Sequence, residues 1–289
     1  MRWRRVESSD VIDQRAGGGL PGGRAAIPGG LGVTGILIYL AISLLGGGGG
    51  GSFSVDDPFG GSTQAPGIQS PRGIPASQDP ERDLKDFSVY VFERTQQTWQ
   101  KTFADQGKQY EHAKLVLYRG GVQTGCGSAS SAVGPFYCPA DQRVYLDLSF
   151  YSDMQSQLGA GGDFAWAYVI AHEMGHHVQQ QLGTSDEVER AQRDNPDQRN
   201  ELSVRLELQA DCYAGVWAKT VYKELEPGDV EEAMTASRAV GDDRLQKQAT
   251  GSVNPDTFTH GTSAQRAEWF SRGRESGQPA DCDTFSGDV

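Results

Sequence analysis

Val169-Ile-Ala-His172-Glu173-Met-Gly-His176-His177-Val178 is the stretch from which the fold is read. It contains the pattern His-Glu-x-x-His. The surrounding Phe164–Leu182 reads as a helix whose first half is strongly apolar. Positions four apart on a helix share a face, so His172 and His176 can ligate one metal ion. Glu173 projects beside them, where it can polarise a metal-bound water. Two imidazoles plus a base is the arrangement used in zinc-dependent hydrolysis. The bare pattern also occurs by chance on solvated polar helix faces. The local density of histidine weighs against chance here, because three of the chain's five histidines fall within residues 172–177.

A catalytic zinc usually takes three protein ligands and keeps one position open. The third ligand is expected from another element, and Glu207 is the best candidate. It lies in Glu207-Leu-Gln-Ala-Asp211-Cys-Tyr-Ala-Gly215, within a second long helix expected over Glu201–Leu225. Glu207 and Asp211 are four apart and share a face. Leu206, Leu208, Ala210, Ala214, Val216 and Trp217 around them suggest a buried helix, and buried carboxylates need charge partners. A zinc ion for Glu207 and a ligand imidazole N–H for Asp211 satisfy both. The bland alternative is a pair of surface acids.

His177 sits about 100° round the helix from His176, so it is expected to be packed or hydrogen-bonded rather than a ligand. His260 lies in Phe258-Thr-His260-Gly-Thr-Ser-Ala-Gln-Arg266, just before a short helix. That loop could return over the cleft, where His260 or Arg266 would stabilise the oxyanion of a tetrahedral intermediate. The alternative is a structural cap and ion pair.

Around this nucleus the chain has 289 residues and a formal net charge of −12. The acidic balance argues against sequence-independent nucleic-acid binding, which relies on Lys and Arg to displace counterions. Residues 1–28 read as a Gly-rich tail holding Arg2, Arg4, Arg5, Arg15 and Arg24. The apolar run Leu31–Leu45, extended to residues 29–48, reaches the ~20 residues that a spanning helix needs. It is either a signal-peptide core or an uncleaved anchor, and the anchor is preferred because no clear cleavage site follows. The preceding arginines then place the tail in the cytoplasm and the rest outside the cytoplasmic membrane, after a single pass. Residues 49–80 read as a flexible Gly/Ser/Pro linker, and 81–289 as the folded domain.

Within that domain, Leu84 to Phe103 recur at helical spacing, and Lys114–Tyr118 reads as a strand. Gly120–Ser131 is expected to be a loop. Phe136-Tyr137 and Arg143–Leu148 look like strands joined by a turn over 139–142. Residues 183–200 read as a loop, Val230–Val240 as a helix and Ala264–Phe270 as a short final helix. Residues 143–148 are taken as an exposed edge strand on which an extended substrate could pair.

Several separate motifs in one order carry a resemblance. His172-Glu-Met-Gly-His-His-Val-Gln179, Glu207-Leu-Gln-Ala-Asp-Cys-Tyr-Ala-Gly-Val-Trp217 and His260-Gly-Thr-Ser-Ala-Gln-Arg-Ala-Glu-Trp-Phe270 resemble the bacterial neutral zinc metallopeptidase family. Gly125-Cys-Gly and Gly134-Pro-Phe-Tyr-Cys-Pro139 match as well. The resemblance covers roughly residues 81–286, and an anchored, Gly-rich N-terminus fits it. It implies a zincin-like α+β domain, mainly helical with a small sheet and preceded by one transmembrane helix. Zn2+ would be held by His172, His176 and Glu207, with Glu173 as base. The Glu-x-x-x-Asp pattern is also similar to that of membrane-linked gluzincin peptidases.

Cys126, Cys138, Cys212 and Cys282 permit two disulfides in an oxidising compartment, and three pairings are open. The expected activity is hydrolysis of peptide bonds in a peptide or protein substrate, outside the membrane. The alternatives are a membrane-anchored zinc-binding scaffold without turnover and a metalloamidase acting on cell-wall peptides.

Overall fold

Lys114–Tyr118 (β2) and Arg143–Asp147 (β6) alternate too little to leave one face wet, and both are almost wholly buried. Runs of that kind form interior parallel strands. In the structure, a computed structural model that describes residues 1–16, 73–287 and 289, they pair in parallel with Val116 opposite Tyr145. Two flanking strands complete a sheet of order β1-β2-β6-β5. Val11–Asp13 (β1) adds in parallel to β2, and Phe136–Cys138 (β5) adds antiparallel to β6. Residues 143–148 are therefore interior and not an edge: β6 has neighbours on both sides. The edge nearest the site is β5.

Gly121–Thr124 (β3) and Gly127–Ser130 (β4) form a small hairpin where a loop is expected. Only Val122 and Ala129 are buried on it, so the apolar signal was faint. The hairpin's turn is covalently tied to β5 by the Cys126–Cys138 disulfide.

Helices cover the rest. Arg82–Asp105 (α1) and Asp163–Leu182 (α3) form a layer against the sheet, and Phe150–Ser156 (α2) fills the gap before α3. Thr184–Asp194 (α4) replaces the expected loop over 183–200. It follows Gly183 in the left-handed conformation at φ 81° and buries only Val188. Such a charged, nearly unburied helix carries no apolar period to read. Arg199–Thr220 (α5), Asp229–Ala239 (α6), Asp242–Thr250 (α7) and Ser263–Ser276 (α8) complete the eight helices among the described residues. Thr262 opens α8 with a reciprocal capping box to Gln265, which sets the angle at which the chain leaves His260.

Two glycine contacts let α8 lie directly on α5. A Cβ at Gly273 would stand 1.9 Å from the Cys212 carbonyl oxygen, and one at Gly215 would stand 2.1 Å from that of Phe270. The Cys212–Cys282 disulfide then fastens the C-terminal tail to α5.

Residues 1–16 pack on the domain. They supply β1, and Trp3 packs edge-on against Phe87 at 5.6 Å. The Met1 ammonium lies 2.7 Å from Asp163, the first residue of α3. Arg15 is buried among Asp13, Asp79 and Glu81. The proposed anchor at 29–48 lies outside the described residues. Among the described residues, no helix is long and apolar enough to cross a membrane.

Candidate metal centre

The site is built by α3 crossing α5. Gly175 sits between the two histidines, and a Cβ there would stand 3.0 Å from the Ala210 carbonyl oxygen. With no side chain in the way, the helices approach closely enough for His172 and His176 to meet Glu207. Nε2 of His172 lies 3.2 Å from Glu207 Oε2, and Nε2 of His176 lies 3.6 Å from Oε1. One ligand atom from each of the three residues lies within 4.8 Å of the others. The two rings stand edge to face at 4.8 Å.

The outer nitrogens are committed elsewhere, which leaves the inner ones as lone-pair donors. Nδ1 of His172 donates to Asp211 Oδ1 at 2.9 Å. Nδ1 of His176 donates to Gln179 Oε1 at 2.9 Å. Acceptors on Nδ1 select the tautomer whose Nε2 can bind a metal. Two imidazole nitrogens and one carboxylate oxygen, buried and convergent, suit zinc as a donor set.

Asp211 is fully buried and serves several donors at once. Arg266 on α8 gives it Nε at 2.7 Å and Nη2 at 3.0 Å, and the Tyr168 hydroxyl donates to it as well. Burial alone would raise the Asp211 carboxyl, but Arg266 and His172 hold it below the usual range. Burial likewise opposes a charge on His172, yet Asp211 outweighs it and the imidazole is pushed up to about 10 in the metal-free chain. Arg266, a candidate for the oxyanion, is thus spent on Asp211, Tyr168 and the Val240 carbonyl. Of the two readings weighed for it, the structure shows the ion pair.

Glu173 is nearly inaccessible, and burial raises its carboxyl above the ordinary value, against the pull of His172 and His176. The backbone of Tyr137, on edge strand β5, also favours the charged form. His177 is not brought to the site. It is hydrogen-bonded to the Tyr137 hydroxyl at 3.0 Å and to the Glu111 carbonyl at 2.8 Å, and burial lowers it to about 4.

His260 does return to this region, and its imidazole acts electrostatically on Glu207. Asp242, at the start of α7, shapes the returning loop. Its Oδ2 accepts the backbone N–H of Thr259 and of His260, both at 2.7 Å, and of Gly261 at 3.2 Å. Its Oδ1 faces His260 Nδ1 at 3.1 Å. His260 Nε2 is buried without a hydrogen-bond partner among the described residues. Sequence reasoning missed Asp242, as it did Gln179 and Gln209, because none lies in a spacing that marks a ligand.

A mainly helical α+β domain thus carries a two-histidine, one-carboxylate group that could hold a metal ion, with a buried glutamate beside it. The chain belongs to the family described as "Putative neutral zinc metallopeptidase", whose model matches residues 1–285. Zinc is the cofactor which that description implies. The Escherichia coli K12 protein YpfJ, described as uncharacterized, is 48% identical over 294 residues, covering 99% of each chain. The Mycobacterium tuberculosis H37Rv protein Rv2575, also described as uncharacterized, is 50% identical over 190 residues, covering 61% of this chain and 64% of its own. No solved structure matches the chain.

Proposed function

We propose that the protein is a zinc-dependent peptidase that hydrolyses peptide bonds, on a zincin-like site. The observation that carries this is the convergence of His172, His176 and Glu207 donor atoms within 4.8 Å, with a buried Glu173 on the next helical position to His172. Metal storage has no need of that fourth group. His172, His176 and Glu207 would hold the zinc ion, which would supply Lewis acidity to a water and to a carbonyl. Glu173 accepts the proton of the attacking water and later returns it to the leaving amine. Its raised proton affinity suits both steps. Asp211 and Gln179 keep the ligand imidazoles in the donor tautomer.

An extended peptide fits along β5, the sheet edge that touches Glu173 through Tyr137, by strand addition. In its imidazolium form, with Nδ1–H held by Asp242, His260 would donate from Nε2 to the oxyanion. His260→Ala is therefore expected to lower kcat by about 10²–10³-fold while zinc content stays at the wild-type level. Steady-state kinetics with metal analysis checks this, and an unchanged kcat would return His260 to a structural role. The reading as a whole is tested by exposing the zinc-loaded protein to a mixed peptide library and following cleavage by mass spectrometry. Absence of any cleavage would count against it.

The domain works outside the cytoplasm on this reading. The support is its two disulfides, which persist in oxidising compartments. Residues 1–16 then lie on that side too.

A further inference from the structure

The two metal-site imidazoles are oriented by different chemistry. His172 leans on a carboxylate, whereas His176 leans on the amide of Gln179. Gln179 is fully buried. Its Nε2 donates to the Leu206 carbonyl at 2.7 Å and to Gln209 Oε1 at 3.1 Å. Gln209 Nε2 donates in turn to the Cys282 carbonyl at 3.1 Å. Backbone carbonyls only accept, so each amide has one possible orientation. Gln179 Oε1 must then face His176, and His176 must carry its proton on Nδ1. Two backbone carbonyls thus set the ligand tautomer, that of Leu206 directly and that of Cys282 from three links away.

The Cys282 carbonyl belongs to the C-terminal tail. The Cys212–Cys282 disulfide fastens the tail covalently, and Arg205 Nη1 donates to the Thr284 and Gly287 carbonyls, Thr284 Oγ1 to that of Arg205, and Gln265 Nε2 to that of Val289. Cys212 stands on α5, one residue beyond Asp211 and five beyond Glu207. Both halves of the centre are therefore tied to the same helix, one through Asp211 and one through the tail.

We propose that Gln179 and Gln209 are positioning residues of the metal site, and that through them the Cys212–Cys282 disulfide governs how firmly His176 holds the metal. The inference rests on the zinc reading given above. Removing the acceptor on Nδ1 frees the ring to rotate and to take the other tautomer, whose Nε2 cannot ligate. Outer partners of ligand histidines typically carry 10–100-fold of metal affinity.

The test is zinc affinity of the full chain, by competition with a chromophoric chelator. Gln179→Leu is expected to bind zinc about 10–100-fold more weakly. The Cys212→Ser/Cys282→Ser double variant is expected to weaken binding in the same direction. Added to Gln179→Leu, it is expected to cause no further loss, because the link it acts through is already cut. In the zinc-free protein, imidazole 15N spectra are expected to show His176 as the Nδ1–H tautomer, and Gln179→Leu is expected to lose that single form. Affinity and tautomer unchanged in Gln179→Leu would overturn the proposal, as would strictly additive losses. If circular dichroism shows the cysteine variant to be unfolded, Gln209→Leu replaces it, since it breaks the relay with the disulfide intact. Should the wild-type chain itself bind no zinc, it is the metal reading that fails.

Discussion

Glu173→Gln is expected to keep its zinc and lose its hydrolysis. The substitution preserves shape and leaves His172, His176 and Glu207 untouched. It removes only the ability to accept a proton. The side chain is buried, its carboxyl is raised by burial, and it is neighbour in sequence to a ligand. The charge of that carboxylate is favoured by His172 and His176, which a bound metal would also engage. Loss of a positioned general base lowers turnover by about 10²–10⁴-fold. Peptide cleavage measured beside metal content checks this directly. Retained turnover in zinc-loaded Glu173→Gln would remove Glu173 from the mechanism.

Arg266→Met is expected to have the largest effect on stability. The guanidinium is buried and makes two hydrogen bonds to Asp211. Methionine fills much of the volume but leaves a fully buried carboxylate facing only His172 and the Tyr168 hydroxyl. Breaking a buried pair by removing one partner costs about 3–5 kcal/mol. That is a large part of the roughly 5–15 kcal/mol that holds a domain folded. Urea unfolding should show the midpoint fall accordingly, and weaker zinc binding should accompany it, because Asp211 orients His172. An unchanged midpoint would mean that Asp211 finds its compensation elsewhere.

What the sequence made legible follows from periodicity and from chemistry that needs a fixed spacing. The helix of His172 and the helix of Glu207 are strongly apolar and long, so their existence and their facing residues could be read. The partnership of Asp211 with a ligand imidazole could be read because two buried acids four apart need partners. Both disulfide pairings were among the open possibilities. The structure adds what no local pattern encodes. Residues 11–13 are too short a run to signal a strand, and they become one only by adding to the buried β2. Nothing in residues 143–148 tells an edge from an interior strand, and the almost complete burial of Arg143–Asp147 reflects neighbours on both sides. For Arg266 an oxyanion role and an ion pair are both open in the sequence, and the partner in the pair, Asp211, sits 55 residues away on another helix. Gln179 and Gln209 are uncharged amides, silent in sequence, and their roles emerge only from the direction of each hydrogen bond.

The account stands on one claim, that His172, His176 and Glu207 hold a zinc ion. The most direct measurement is the metal content of the purified full chain by mass spectrometry of the elements, with His176→Ala prepared in parallel. One zinc per wild-type chain, lost from the variant while its circular dichroism is unchanged, is the predicted result. Well-folded wild-type protein that carries no zinc and takes up none when it is supplied would contradict the account.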